Sequence, residues 1–173
     1  MASYNTLDSW NNGGITSISG GASTNPSIYQ RIRAEGKFLS VTFYGYTSPG
    51  SMSEILLSVS LGQDSQKDPV DYSPFDEIES SEVIGLPKSS ENYQGIDKFS
   101  EIKFKSSQEL IPGEDYIIGL VTHGDAWDSG WIGYTSADAY PHGGQGLEGD
   151  PRDLAMDLSF SSEPPSKDRQ LFE

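Results

Sequence analysis

Apolar residues recur at every second position through much of this chain, and that spacing restricts it to extended strands. Ile55, Leu57, Val59 and Leu61 fall on one face of a single segment. Leu154, Met156, Leu158 and Phe160 do the same, against Asp153, Ala155, Asp157 and Ser159 on the other face. A helix would spread such residues around its axis, whereas a strand gathers them on one half-buried surface. In Ser27–Arg33, Ile28 and Ile32 share a face opposite Tyr29, Arg31 and Arg33. Phe38–Tyr46 is apolar on both sides, with Leu39, Val41 and Phe43 opposed to Phe38, Thr42 and Tyr44, so it is predicted to be a central strand. Phe99–Phe104, Asp115–Thr122 and Trp131–Tyr134 add three more, and Glu82–Ile84 a short one inside the polar excursion Gly62–Asn92. Runs of helix formers are confined to Ser65–Lys67 and Asp76–Glu82, a region that Pro69 and Pro74 interrupt.

Turn signals separate these segments, notably Ser48-Pro49-Gly50 and Ile111-Pro112-Gly113-Glu114. About eight short strands so spaced, in a chain long enough for one core, predict an all-β sandwich of two antiparallel sheets. The sandwich is expected over residues 26–161. Residues 1–25, with Asn11-Asn12-Gly13-Gly14 and Gly20-Gly21, read as a loose arm holding one short edge strand at Ile15–Ile18. Residues 162–173, with Pro164-Pro165 and mixed charge, read as a polar tail.

A formal charge of −15 sets the chain against nucleic acid and anionic lipid. It contains no cysteine, so disulfides and thiolate metal sites are excluded. The longest apolar run, Tyr116–Val121, falls far short of the ~20 residues that span a bilayer, so no membrane insertion is expected. Met1–Gly14 has neither the basic nor the apolar region of a signal peptide. The chain is then either made and used inside the producing cell or a processed product whose signal is gone.

The stretch from Leu110 onward carries a distinctive pattern. Leu110-Ile111-Pro112-Gly113-Glu114-Asp115-Tyr116 leads into an apolar strand, followed by Trp127, Gly130-Trp131-Ile132-Gly133-Tyr134, Tyr140-Pro141-His142-Gly143-Gly144 and Asp153–Phe160. This resembles jelly-roll modules of phage tail and head fibre proteins and of secreted bacterial adhesins. Ile28–Ile32, Leu39-Ser40-Val41 and Phe99–Phe104 resemble the same family's earlier strands, so the likeness spans Ile28–Phe160. It implies a jelly roll and a surface-display role, and it brings no universal catalytic residues.

The candidate binding site lies in the loops around these motifs. Trp127, Trp131, Tyr134 and Tyr140 offer ring faces for the C–H faces of sugars, and Asp125, Asp128, His142 and Gln145 offer partners for their hydroxyls. The competing assignment makes Trp131 and Tyr134 core or rim residues of the sandwich. His123, Asp125, Asp128 and Asp138 match no zinc spacing. Calcium through Asp125, Asp128, Asp150 and Asp153 is weighed against a solvated acidic loop, and the loop is preferred, so no cofactor is expected. Nucleophile-elbow, phosphate-loop and His-Glu-x-x-His patterns are missing, and carboxylate pairs such as Asp76/Glu77 are common in so acidic a chain. The sequence thus points to a non-enzymatic virion structural protein, a capsid decoration or fibre component whose jelly roll adheres to glycans. Its expected partners are other virion proteins or copies of itself. A secreted carbohydrate-binding module or adhesin domain is the alternative.

Overall fold

A computed structural model of the chain describes residues 2–9, 14–22, 26–64, 75–90, 99–135, 139–142 and 152–163. Eleven strands form among these residues: β1 Ala2–Asn5, β2 Ile15–Ser19, β3 Ile28–Arg33, β4 Phe38–Thr47, β5 Leu56–Asp64, β6 Phe75–Ser80, β7 Ile84–Gly85, β8 Ser100–Lys105, β9 Asp115–His123, β10 Ser129–Gly133 and β11 Met156–Ser161. The one helical element among the described residues is a 3-10 turn, Thr6–Ser9. No helix among them is long and apolar enough to cross a membrane.

The excess over the eight expected strands has a simple cause: three ribbons are each broken in two. β10 and β11 follow one another along the same edge of β4, at Gly45–Thr47 and Phe38–Phe43. β1 and β2 lie end to end along their outer side, and β6 and β7 along β5. Counted as ribbons, one sheet runs β1/β2, β10/β11, β4, β8 and the other β3, β9, β5, β6/β7, with all strand pairs antiparallel. Successive ribbons alternate between the sheets except where β5 leads to β6/β7, its neighbour in the same sheet. This is the jelly-roll connectivity.

The inward faces are those the alternation marks. Leu39, Val41 and Phe43 of β4 and Ile55, Leu57, Val59 and Leu61 at and along β5 are each no more than 1% exposed. Ile32, Ile102, Ile118, Leu120, Ile132, Leu158 and Phe160 complete the centre of the core. β4 is central as predicted, flanked by β8 on one side and β10/β11 on the other. Within residues 1–25 the expected short edge strand is present as β2, and β1 is a further strand there. Residues 2–5 and 15–19 are strands of the first sheet, Ile18 is buried, and the Thr6 hydroxyl donates to Leu154 O and accepts from Met156 N. Short polar segments like these carry little periodicity of their own, and pairing with β10 and β11 supplies their order.

Both open sides of the sandwich are closed by side chains. At the β8 side, the Glu79 carboxylate of β6 accepts hydrogen bonds from Ser107 N and Oγ, tying the two sheets together. At the β3 side, the chain leaves the first sheet after Tyr134 and returns at Leu154. Its neck is closed by Thr135 N donating to Asp153 O and Ala155 N to Gly133 O. Tyr140 from this excursion enters the core, its hydroxyl accepting from Arg33 N at 3.0 Å. Asp153 takes Gln30 Nε2 and Tyr140 N, which explains why β3 carries a glutamine on its inner face.

Candidate functional site: the Trp127 end

In the loop between β9 and β10, Gly124-Asp125-Ala126-Trp127-Asp128, the glycine and the two aspartates have structural duties. Gly124 sits at φ 85°, in the left-handed region that glycine enters at least cost, and turns the chain out of β9. Asp125 accepts a hydrogen bond from Trp127 N at 2.9 Å and so folds the tip over itself. Asp128 is only 5% exposed; its Oδ1 accepts from Ser51 Oγ and from Ser53 N, both at 3.1 Å. Asp128 therefore latches this loop to the β4–β5 loop. From behind, Gly20 N donates to Asp128 O, and a methyl group at Gly20 would lie 2.1 Å from Asp125 O. Three segments brace one tip.

What this frame displays is apolar. Trp127 is 87% exposed and Met52 is 89% exposed, each one residue from a group in the Asp128 latch. Leu56 opens on the neighbouring sheet face, opposite His123 and Gly85. The glycines at 85 and 124 leave it unshielded, each with a missing Cβ position 3.5–3.6 Å from its methyl groups. Beside it His123 Nε2 pairs with Ser58 Oγ at 3.0 Å.

The other aromatic residues of the expected cluster lie elsewhere. Trp131 is half-buried on the outer face of the first sheet, across from Tyr46, which packs edge-on against Phe99 at 4.9 Å. Tyr134 is half-buried against the core, with the Arg152 guanidinium 5.0 Å above its ring. Tyr140 has no exposed surface and therefore no face to offer a ligand. His142 stands edge-on to Tyr140 and Tyr4, at 5.6 and 6.2 Å, on the β3 side of the sandwich. Asp128 spends its carboxylate on the latch, while Asp125 remains exposed beside Trp127. Gln145, Asp138 and Asp150 lie outside the described residues. Sequence proximity had joined these groups; alternation along β10 and the long excursion after it send them to different faces.

The Tyr4–Tyr140 pair forms a second organised locus. The rings meet edge to face at 5.0 Å, and Tyr4 donates its hydroxyl to Glu35. That hydrogen bond, with burial second, pushes the Tyr4 phenol up to about 12. Burial pushes Tyr140 up to about 12 as well. The Tyr140 hydroxyl holds the end of β3 through Arg33 N, and the Tyr4 hydroxyl holds the β3–β4 turn through the Glu35 carboxylate. Among the described residues, no three His, Asp or Glu side chains gather where they could hold a metal ion.

Met52, Ser51, Leu56 and Gly20 were not singled out from sequence. A methionine inside the polar loop after Ser48-Pro49-Gly50 was the one available signal. Comparison with known protein families, with curated proteins and with solved structures yields no match.

Proposed function

We propose that this chain is a non-enzymatic display module whose jelly roll holds the Trp127 end outward to adhere to uncharged glycans. The observation that carries this reading is an indole left 87% exposed on a loop braced from three directions. The fold gains little from such a ring. Stacked on the C–H face of a sugar, about half its surface would be removed from water, about 2–3 kcal/mol before ordering costs. Asp125, Ser53 and Ser129 are exposed on the same loops and supply partners for hydroxyl groups. The charge of −15 opposes sulfated, sialylated or uronic-acid glycans and leaves neutral ones.

The setting that fits the resemblance over Ile28–Phe160 is a virion, where a decoration or fibre component contacts other virion proteins or its own copies. A secreted adhesin or carbohydrate-binding module is the alternative setting. A second reading of the same end, protein docking during assembly, is favoured by Met52 and Leu56, which suit a protein interface better than a sugar. A glycan array probed with the wild-type chain and with Trp127→Ala separates the two. Signals on neutral glycans that vanish in the variant support adhesion. A blank array for both proteins refutes it and leaves protein docking.

A further inference from the structure

Every sheet edge exposes unpaired backbone groups, and this molecule blunts the described ones to different degrees. The outer edge of β8 carries Glu101, Lys103 and Lys105, with Lys103 paired to Glu101 at 3.0 Å. The β3 edge carries Arg31 and Arg33, the latter paired with Asp115 at 3.0 Å. The edge formed by β1 and β2 is broken into pieces of 4 and 5 residues. β6 is interrupted by a register shift opposite Leu61/Gly62, bears Asp76, Glu77 and Glu79, and is tied down through Glu79 to Ser107. Charges, breaks and bulges are the devices by which sheets avoid unwanted pairing.

β7 is itself only two residues long and continues the broken β6/β7 edge, yet neither of its residues carries a charge. Its two residues pair with Leu56 and Leu57 on one side, and among the described residues no strand pairs with its other side. Val83 and Ile84 are 51% and 38% exposed, and Gly85 has no side chain to keep another backbone away. Acidic groups frame this edge. Glu82 precedes it and is exposed, and Glu54 Oε2 lies 3.8 Å from the position a Gly85 Cβ would take.

We infer that the Val83–Gly85 edge is a strand-addition site for an extended segment of a partner protein, in which apolar residues alternate with lysine or arginine. Main-chain hydrogen bonds to the open side of β7 supply the pairing, Val83 and Ile84 meet the partner's apolar residues, and Glu54 and Glu82 meet its cations. A second copy of this chain fits poorly, because two bodies of charge −15 would meet through acidic edges. The site does not use Trp127 and stands independently of glycan adhesion.

The test pans a library of randomised ten-residue peptides against the immobilised full chain, with the Ile84→Lys and Val83→Lys proteins as counter-selection. Both substitutions are at exposed positions, and circular dichroism verifies that each variant is folded. The expected result is enrichment of alternating apolar and basic peptides. Their affinity falls tenfold or more in either lysine variant and in raised salt, and is unchanged in Trp127→Ala. Amide hydrogen exchange at residues 83–85 slows when such a peptide is bound. Absence of enrichment, enrichment of acidic peptides, or binding indifferent to Ile84→Lys overturns the proposal.

Discussion

Gln30 and Asp153 lock the two sheets together from within the core. Gln30 Nε2 donates to Asp153 Oδ1 at 2.9 Å, while Gln30 Oε1 accepts from Leu154 N at 2.9 Å, and both residues are fully buried. One amide thus satisfies a buried carboxylate and closes the neck of the Thr135–Asp153 excursion. A buried carboxylate is tolerated only when its hydrogen bonds are made.

Replacing Gln30 with Leu should therefore destabilise the fold by about 1–3 kcal/mol, since Asp153 Oδ1 and Leu154 N then lose a buried partner. The double variant Gln30→Leu/Asp153→Asn replaces the carboxyl by an amide, so it should recover part of the loss. Urea unfolding of the three proteins measures both effects. Equal stability of Gln30→Leu and wild type would contradict this account of the plug.

Asp128→Ala removes the acceptor shared by Ser51 Oγ and Ser53 N, and the cost is expected to be about 1–3 kcal/mol. The larger effect should be local. Amide exchange in residues 48–55 and 124–128 should accelerate while that in β4 and β9 stays near wild type. Uniform acceleration across the sandwich would show that the latch is not confined to the loops.

Gly20 and Gly50 make a matched pair. A Cβ at Gly20 would overlap Asp125 O at 2.1 Å, whereas a Cβ at Gly50 would meet nothing within 4 Å. Gly20→Ala should displace the Trp127 loop and lower the melting temperature. Gly50→Ala should be neutral or slightly stabilising, because it restricts the unfolded chain. Calorimetry of the two variants compares them directly.

The Tyr4 and Tyr140 phenols, both pushed up to about 12, predict a loss of stability in alkali. A phenol whose folded pKa exceeds its unfolded value of 10.0 adds stability that is fully present below pH 10. That contribution is lost as pH rises through about 12. Phenolate absorbance should show Tyr4 and Tyr140 among the tyrosines that ionise late, and Tyr4→Phe should remove one of them. Stability that stays flat from pH 10 to 12 would refute the shifts.

The strands that bury one whole face were readable directly. Ile55–Leu61 and Leu154–Phe160 alternate because water on one side and core on the other select residues two apart, and no distant partner is needed to recognise that. β1 and β6 were not readable. Ala2–Asn5 and Phe75–Ser80 are short and largely polar, and they become strands only because β11 and β5 offer them a ladder. Gln30 lies between Ile28 and Ile32 on their buried face, and the partner that accounts for it, Asp153, is more than a hundred residues away in the chain.

The aromatic loops divide the same way. Their composition marked Trp127, Trp131, Tyr134 and Tyr140 as a group, yet it carried no information about direction. The exposure of Trp127 comes from the Asp128 latch to Ser51 and Ser53, and the burial of Tyr140 from its contacts with Tyr4 of β1, Arg33 of β3 and Asp153. The period-two pattern was enough for an all-β sandwich, because each strand's amphipathicity is local. Which ring meets water depended on contacts between segments far apart in the chain, and those exist only once the two sheets have closed on each other.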